Sequence, residues 1–250
     1  MNKKINQKIL SLIEYYNLLN MDLLINNSPI NRFNNNEKLS NGLGKSQRLE
    51  ELKKMIVSIK NCELKNSANK MVFSDGNINS KIMFIGEGPG YNEDQHGIPF
   101  IGRAGNLLEQ LLQSIGLSRK KVFITNMVKC RPPDNRDPHY DELNSCSGYL
   151  DDQILAIDPA VIVTLGRFSF GKFFPGTPLS KARGVPRRWK ECNVFPMYHP
   201  AAALYNPRLL PRLEQDFRRL PELVLGFKKE RESNVSEIGN IQEKQLGLFD

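Results

Sequence analysis

The stretch GEGPGYNEDQHGIPFIGRAG, residues 86–105, combines groups that seldom meet. Its glycines, Gly88 among them, let a backbone come close to a ligand. It follows an apolar run, KIMFI, and precedes a helical one, NLLEQLL. A strand, a glycine-rich turn and a helix commonly cradle a phosphate. Glu87, Glu93 and Asp94 would repel that anion, so a third reading, a nucleotide-phosphate enzyme, fits poorly. Phe100, between Pro99 and glycines, is either a core anchor or a stacking platform for an aromatic ligand. Asn126 closes the run VFITN. Its amide sets a donor beside an acceptor, which can match the edge of a pyrimidine ring; the plainer alternative is a cap on local backbone. His199 precedes Pro200 and so favours extended backbone. It could donate to developing negative charge, or be structural.

Positioning these groups falls to four short apolar runs, KIMFIG, VFITN, AVIVTLG and VFPMYH, separated by helical stretches such as 104–115 and 140–157. Apolar strands alternating with helices indicate a parallel sheet covered on both faces. Such sheets bind ligands at the carboxyl ends of their strands. Gly86-Glu87, Asn126 and His199-Pro200 all stand at such ends, so one pocket collects them. The loop KCRPPDNRDP, 129–138, adds Lys129, Arg131 and Arg136 beside that pocket. This charge suits a phosphate backbone, although a solvated charge run is the alternative. SKARGVPRRWK, 180–190, is a second basic loop.

The 250 residues, 40% of them hydrophobic, suffice for one sizeable core with appendages. A net charge of +8 points to a polyanionic partner, most commonly nucleic acid. No run of 18 apolar residues suggests a membrane span, and no signal peptide is read at the N-terminus. Four cysteines do not make a disulfide scaffold, so a cytoplasmic, reducing compartment is expected; the protein is expected to be a monomer. An amphipathic helix over 3–25 and an Asn-rich linker form a first region, 1–45. The main domain spans 46–225 and begins with a helix at 46–60. A charged tail, 226–250, is expected to be disordered.

GEGPGYNEDQHGIPFIGRAG, TNMVKCRPPDNRDP and HPAAALYNP, in this order, resemble the three motifs of type-4 uracil-DNA glycosylases. The resemblance covers roughly residues 58–222 and implies a three-layer α/β/α sandwich with a mainly parallel four-stranded sheet. It implies a monofunctional enzyme that flips uracil out of DNA and hydrolyses its N-glycosidic bond, leaving an abasic site. By position, Glu87 and Glu93 match the acidic residues of the first motif, Phe100 its stacking aromatic, Asn126 the uracil-reading amide and His199 the histidine of the last motif. Asn126 would accept from N3–H and donate to O4, a pairing that cytosine cannot reproduce. His199 would stabilise uracil O2. Glu87 or Glu93 would stabilise the sugar cation or position water, by analogy with glycosidases. Leu204 is a candidate wedge for the vacated stack, or a core leucine. The alternative class is a non-catalytic or trapping uracil-DNA binding module associated with replication. Relatives that trap DNA carry a histidine-containing insert after the second motif; DNRDPHYDE here, with His139, lacks it.

The family usually carries four cysteines for a [4Fe–4S] cluster. Cys62, Cys130 and Cys146 match the second, third and fourth, with the same spacing of 16 between the last two. Ile59 stands where the first should be, which puts the cluster in doubt. Cys192 lies far from the pattern. At the C-terminus, QLGLF resembles the short peptide by which bacterial repair proteins dock on the DNA sliding clamp. Gln245, Leu248 and Phe249 would fill its groove.

Overall fold

A computed structural model describes residues 44–60 and 62–227. The chain divides into two compact units, 1–43 and 44–250. The expected helix over 3–25, its linker and the clamp-like peptide lie outside the described residues.

Among the described residues six strands form one sheet in the order β1-β3-β2-β4-β6-β5. They are β1 (Asp75–Gly76), β2 (Ile82–Gly86), β3 (Phe123–Asn126), β4 (Val161–Leu165), β5 (Arg187–Trp189) and β6 (Cys192–Met197). The four expected strands are β2, β3, β4 and β6, and they pair in parallel. The two further strands are edges of two and three residues, both antiparallel. They escape a hydrophobic pattern search because neither is buried along its length.

Helices cover both faces. On one face, Met83, Ile85, Phe123, Ile162 and Val194 pack with Leu49, Leu52 and Ile56 of helix α1 (Lys45–Ser58). The same cluster takes in Leu150, Ile154 and Ile157 of a second, long helix (Tyr140–Ile157). On the other face, Ile82, Phe84, Val161 and Val163 pack with Leu108, Leu111 and Leu112 of the helix Arg103–Ser114. Leu213, Phe217 and Leu220 of a helix over 210–227 complete that layer. Adjacent residues of β2 thus serve opposite layers, as the two-residue period of a strand demands. Each fully buried side chain of this size contributes about 1.5–3 kcal/mol. The sandwich is three-layered, and the three long helices lie within two residues of their expected bounds.

In chain order the remaining α-helices among the described residues are α2 (Glu63–Ser67), α3 (Tyr91–His96), α4 (Arg103–Ser114), α5 (Tyr140–Ile157), α6 (Arg167–Phe173), α7 (Leu179–Ala182), α8 (Pro200–Tyr205) and α9 (210–227). No described helix is long and apolar enough to cross a membrane.

Candidate active site

The carboxyl ends of the parallel strands open into a cavity of about 500 Å³. Glu87, Gly88, Glu93, Phe100, Asn126, Arg136 and His199 all line it. The convergence expected at the ends of β2, β3 and β6 is therefore observed. The end of β4 joins them: the Gly166 N–H donates to Met197 O at 3.0 Å, and Arg167 pairs with Asp137 near Glu87.

Asn126 sits opposite Gly86 in the β2–β3 register. It is buried, and its Oδ1 has no hydrogen-bond partner among the described residues. A buried polar atom without a partner costs free energy, so this oxygen is suited to a donor brought by a ligand. Gly86 is needed beside it. A Cβ there would stand 2.3 Å from Asn126 Oδ1 and 2.5 Å from Phe100 Cζ.

His199 caps α8, and its Nδ1 accepts from the Ala201 N–H at 3.1 Å. That bond leaves the proton of a neutral ring on Nε2. Burial pushes the imidazole down to about 4, with Glu93 opposing the shift, so the ring is neutral at physiological pH. The ring of Phe100 stacks on it at 5.5 Å. Phe100 is buried, and its backbone lies in the left-handed region at φ 55°. A residue other than glycine stays there only when its surroundings hold it. Two groups do so. Glu93 Oε1 accepts from the N–H groups of Ile101 and Gly102 at 2.9 and 2.8 Å. Arg119 donates to the carbonyls of Pro99 and Phe100 and pairs with Asp75.

The two candidate carboxylates therefore have different situations. Glu93 is buried and organises the loop that carries Phe100. Glu87 is half-buried on the cavity wall. Desolvation raises its carboxyl to about 7; Asp137 adds to the shift and Arg167 opposes it.

The basic loop separates in the same way. Lys129 is 1% exposed, so the expected phosphate contact is corrected: its ammonium donates to Asn126 O, Gln153 Oε1 and Thr125 Oγ1. The unbroken buried stretch over 122–130 carries this residue inward. Burial pulls the ammonium down to about 7, yet three acceptors around one nitrogen suit the charged form. Arg136 forms a two-pronged pair with Glu142, at 2.6 and 2.8 Å. Glu142 also accepts from the His139 N–H at the start of α5, which anchors the loop to that helix. Arg131 lies over the Tyr91 ring at 5.3 Å. Leu204 is 37% exposed, not a core leucine, and neighbouring Tyr205 on the cavity wall is 92% exposed. Sequence reasoning placed Gly86 at the pocket without its steric role, and missed Arg119, Tyr91 and Tyr205 as site residues. Only the exposed aromatics had a signal, their place inside the motifs.

Cys62, Cys130 and Cys146 share a small apolar cluster with Leu64 and Val128. Ile59 packs instead against the main core. Burial raises the Cys130 thiol to about 12, reinforced by Cys62 and Cys146. Among the described residues no group of three or more His, Cys, Asp and Glu is placed to hold a metal ion. The residues present do not complete a four-thiolate holder for an iron–sulfur cluster.

A family model described as the uracil DNA glycosylase superfamily matches residues 73–221. The type-4 uracil-DNA glycosylase of Sulfurisphaera tokodaii is 49% identical over 191 residues, spanning 72% of this chain and 87% of that one. That of Archaeoglobus fulgidus is 43% identical over 186 residues, spanning 71% and 94%. That of Thermotoga maritima is 44% identical over 148 residues, spanning 58% and 77%. A buried amide with an unpaired oxygen, a neutral histidine and a stacked phenylalanine at the strand ends thus agree with the sequence relationships: the chain belongs to the type-4 uracil-DNA glycosylases of the uracil DNA glycosylase superfamily.

Proposed function

We propose that the protein excises uracil from DNA by hydrolysing its N-glycosidic bond, the first step of base excision repair. The observation that carries this reading is the buried, unpaired Oδ1 of Asn126 on the wall of the cavity. A flipped uracil supplies the missing donor at N3–H and takes the amide N–H at O4; cytosine has an acceptor at N3 and an amine at C4. A site built for one hydrogen-bond pattern rejects the inverted one by several orders of magnitude.

The bond between C1′ and N1 breaks with its electrons leaving on uracil. His199 donates from Nε2–H to O2, where that charge gathers, without transferring its proton. A neutral donor suits this task because its hydrogen bond strengthens as the charge develops. Glu87, ionised above about pH 7, offers negative charge to the sugar cation and an acceptor for the attacking water. The water oxygen bonds to C1′ and its proton ends on uracil. Glu93 holds the loop, and Phe100 supports the base by stacking. Tyr205, exposed on the cavity wall, and the exposed Leu204 next to it in sequence are suited to fill the gap left in the DNA stack. The net charge of +8 supports phosphate binding around the mouth.

The test is alkaline cleavage of a uracil-containing oligonucleotide, single-stranded or paired with guanine, after incubation with the protein. Asn126→Ala should lower single-turnover cleavage by about 10²–10³-fold. Undiminished cleavage by that variant would sink the assignment. The C-terminal QLGLF is proposed to dock on the sliding clamp through Gln245, Leu248 and Phe249. Removal of 245–250 should abolish clamp binding and leave cleavage of short oligonucleotides intact; unchanged clamp affinity would refute the docking role.

A further inference from the structure

Among the described residues Lys129 is the largest fully buried polar side chain, and nothing in the excision chemistry touches it. Burying an ammonium is costly unless every N–H finds an acceptor. Lys129 finds three: Asn126 O at 2.6 Å, Gln153 Oε1 at 2.6 Å and Thr125 Oγ1 at 2.8 Å. The acceptors are anchored in turn. The Thr125 hydroxyl donates to Phe73 O at 2.8 Å, and Gln153 Nε2 donates to the same carbonyl at 3.3 Å. The Lys129 carbonyl itself accepts from the Val72 N–H at 2.7 Å.

The place of this network explains its use. Edge strand β1 pairs with β3 only at Phe123 and Ile124. Beyond them β3 keeps one strand neighbour, β2, which it follows through Asn126. The next two amides, of Met127 and Val128, donate to Gly86 O and Glu87 O at 3.0 and 3.1 Å. The Asn126 carbonyl thus lies where β3 has lost its outer neighbour, and the lysine takes the place of the missing strand. The Asn126 peptide is clamped from both sides while its side-chain oxygen stays unpaired.

We propose that Lys129, with Gln153 and Thr125, is a positioning residue that fixes the Asn126 peptide so that its amide meets the base in one orientation. The proposal rests on the uracil-excision reading and adds to it a group that contacts neither base nor DNA. It differs from the phosphate-binding role that the charge of the loop suggests.

Three measurements test it. Lys129→Met should lower single-turnover cleavage by roughly a hundredfold, the scale of a misplacement near one ångström, and weaken inhibition by free uracil. Its affinity for DNA bearing an abasic site should change by less than about twofold, since no phosphate contact is lost. In an Asn126→Ala background the same substitution should cost nothing further, because it acts through that side chain. Equal loss of abasic-DNA affinity would restore the phosphate role, and an additive loss on Asn126→Ala would mark a merely structural lysine; either overturns the proposal. If Lys129→Met does not fold, the pair Lys129→Met with Gln153→Met removes donor and acceptor together, which spares the cost of an orphaned partner. The pair should fold and show the same pattern. Wild-type cleavage by the pair, or failure of both variants to fold, also overturns it. Hydrogen exchange reads the clamp without catalysis: the Met127 and Val128 amides should exchange faster in Lys129→Met. An inactive wild type with that acceleration would fail the excision reading alone, whereas unchanged exchange fails the clamp.

Discussion

Gly86 contributes no side chain, yet Asn126 and Phe100 take their places only because it contributes none. A methyl group at that position would overlap both. Gly86→Ala should therefore lower uracil cleavage by at least about tenfold by displacing the reading amide and the stacking ring. Gly171→Ala is the matched control: its Cβ would meet nothing within 4 Å, on helix α6. That change should leave cleavage intact and stabilise the helix by about 0.5–1 kcal/mol. Single-turnover rates and urea denaturation of the two variants check this, and equal rates would refute the steric role of Gly86. His199 makes the complementary point. Its chemistry is set by one backbone N–H on Nδ1 and by burial, neither of which its residue type reveals.

Helices and loops decide where those residues point. The Phe100 loop is held at a left-handed residue by Glu93 on one side and Arg119 on the other. Arg119 belongs to a short 3-10 turn before β3, outside all three motifs, and reaches two carbonyls and Asp75. Hydrogen bonds from charged groups are worth about 1.5–3 kcal/mol. Arg119→Met should lose stability of that order and also slow cleavage as the Phe100 platform loosens. Arg188→Met, which removes an exposed pair with Glu191, should do neither. Denaturation midpoints and cleavage rates of the two variants decide it; equal stabilities would dismiss the loop-holding role. The α5 helix has a similar double duty. Glu142 at its start holds Arg136, and Gln153, three turns on, reaches the network under Asn126.

At the scale of the molecule, the buried site couples stability to pH in two opposed ways. Glu87 rises from 4.5 to about 7 on folding, so the native state binds more protons within that window. Its contribution is fully present below about pH 4.5 and is lost as pH rises towards 7. His199 falls from 6.5 to about 4, so its contribution is present above 6.5 and is lost as pH falls towards 4. The windows overlap and the two effects offset. Glu87→Gln should therefore leave a stability that rises more steeply than wild type between about pH 4 and 6.5. His199→Gln should tilt the profile the other way. Urea denaturation across that range checks both signs, and profiles parallel to wild type would refute them. Lys129 shifts between 10.5 and about 7, outside the window.

Strand period, helix period and three ordered motifs, all local properties, determined from sequence alone the parallel core of the sheet, the covering helices, the family resemblance and the gathering of Glu87, Asn126 and His199 at strand ends. Edge strands β1 and β5 were not legible, being short and incompletely buried. Burial and pairing belong to the tertiary structure, because they depend on neighbours distant in the chain. Packing against Gln153, 24 residues away, turned Lys129 from a surface cation into an internal clamp. Contacts with the 101–102 backbone made Glu93 a loop holder and left Glu87 on the cavity wall. The main core claimed Ile59, so the three neighbouring thiols remain an incomplete set.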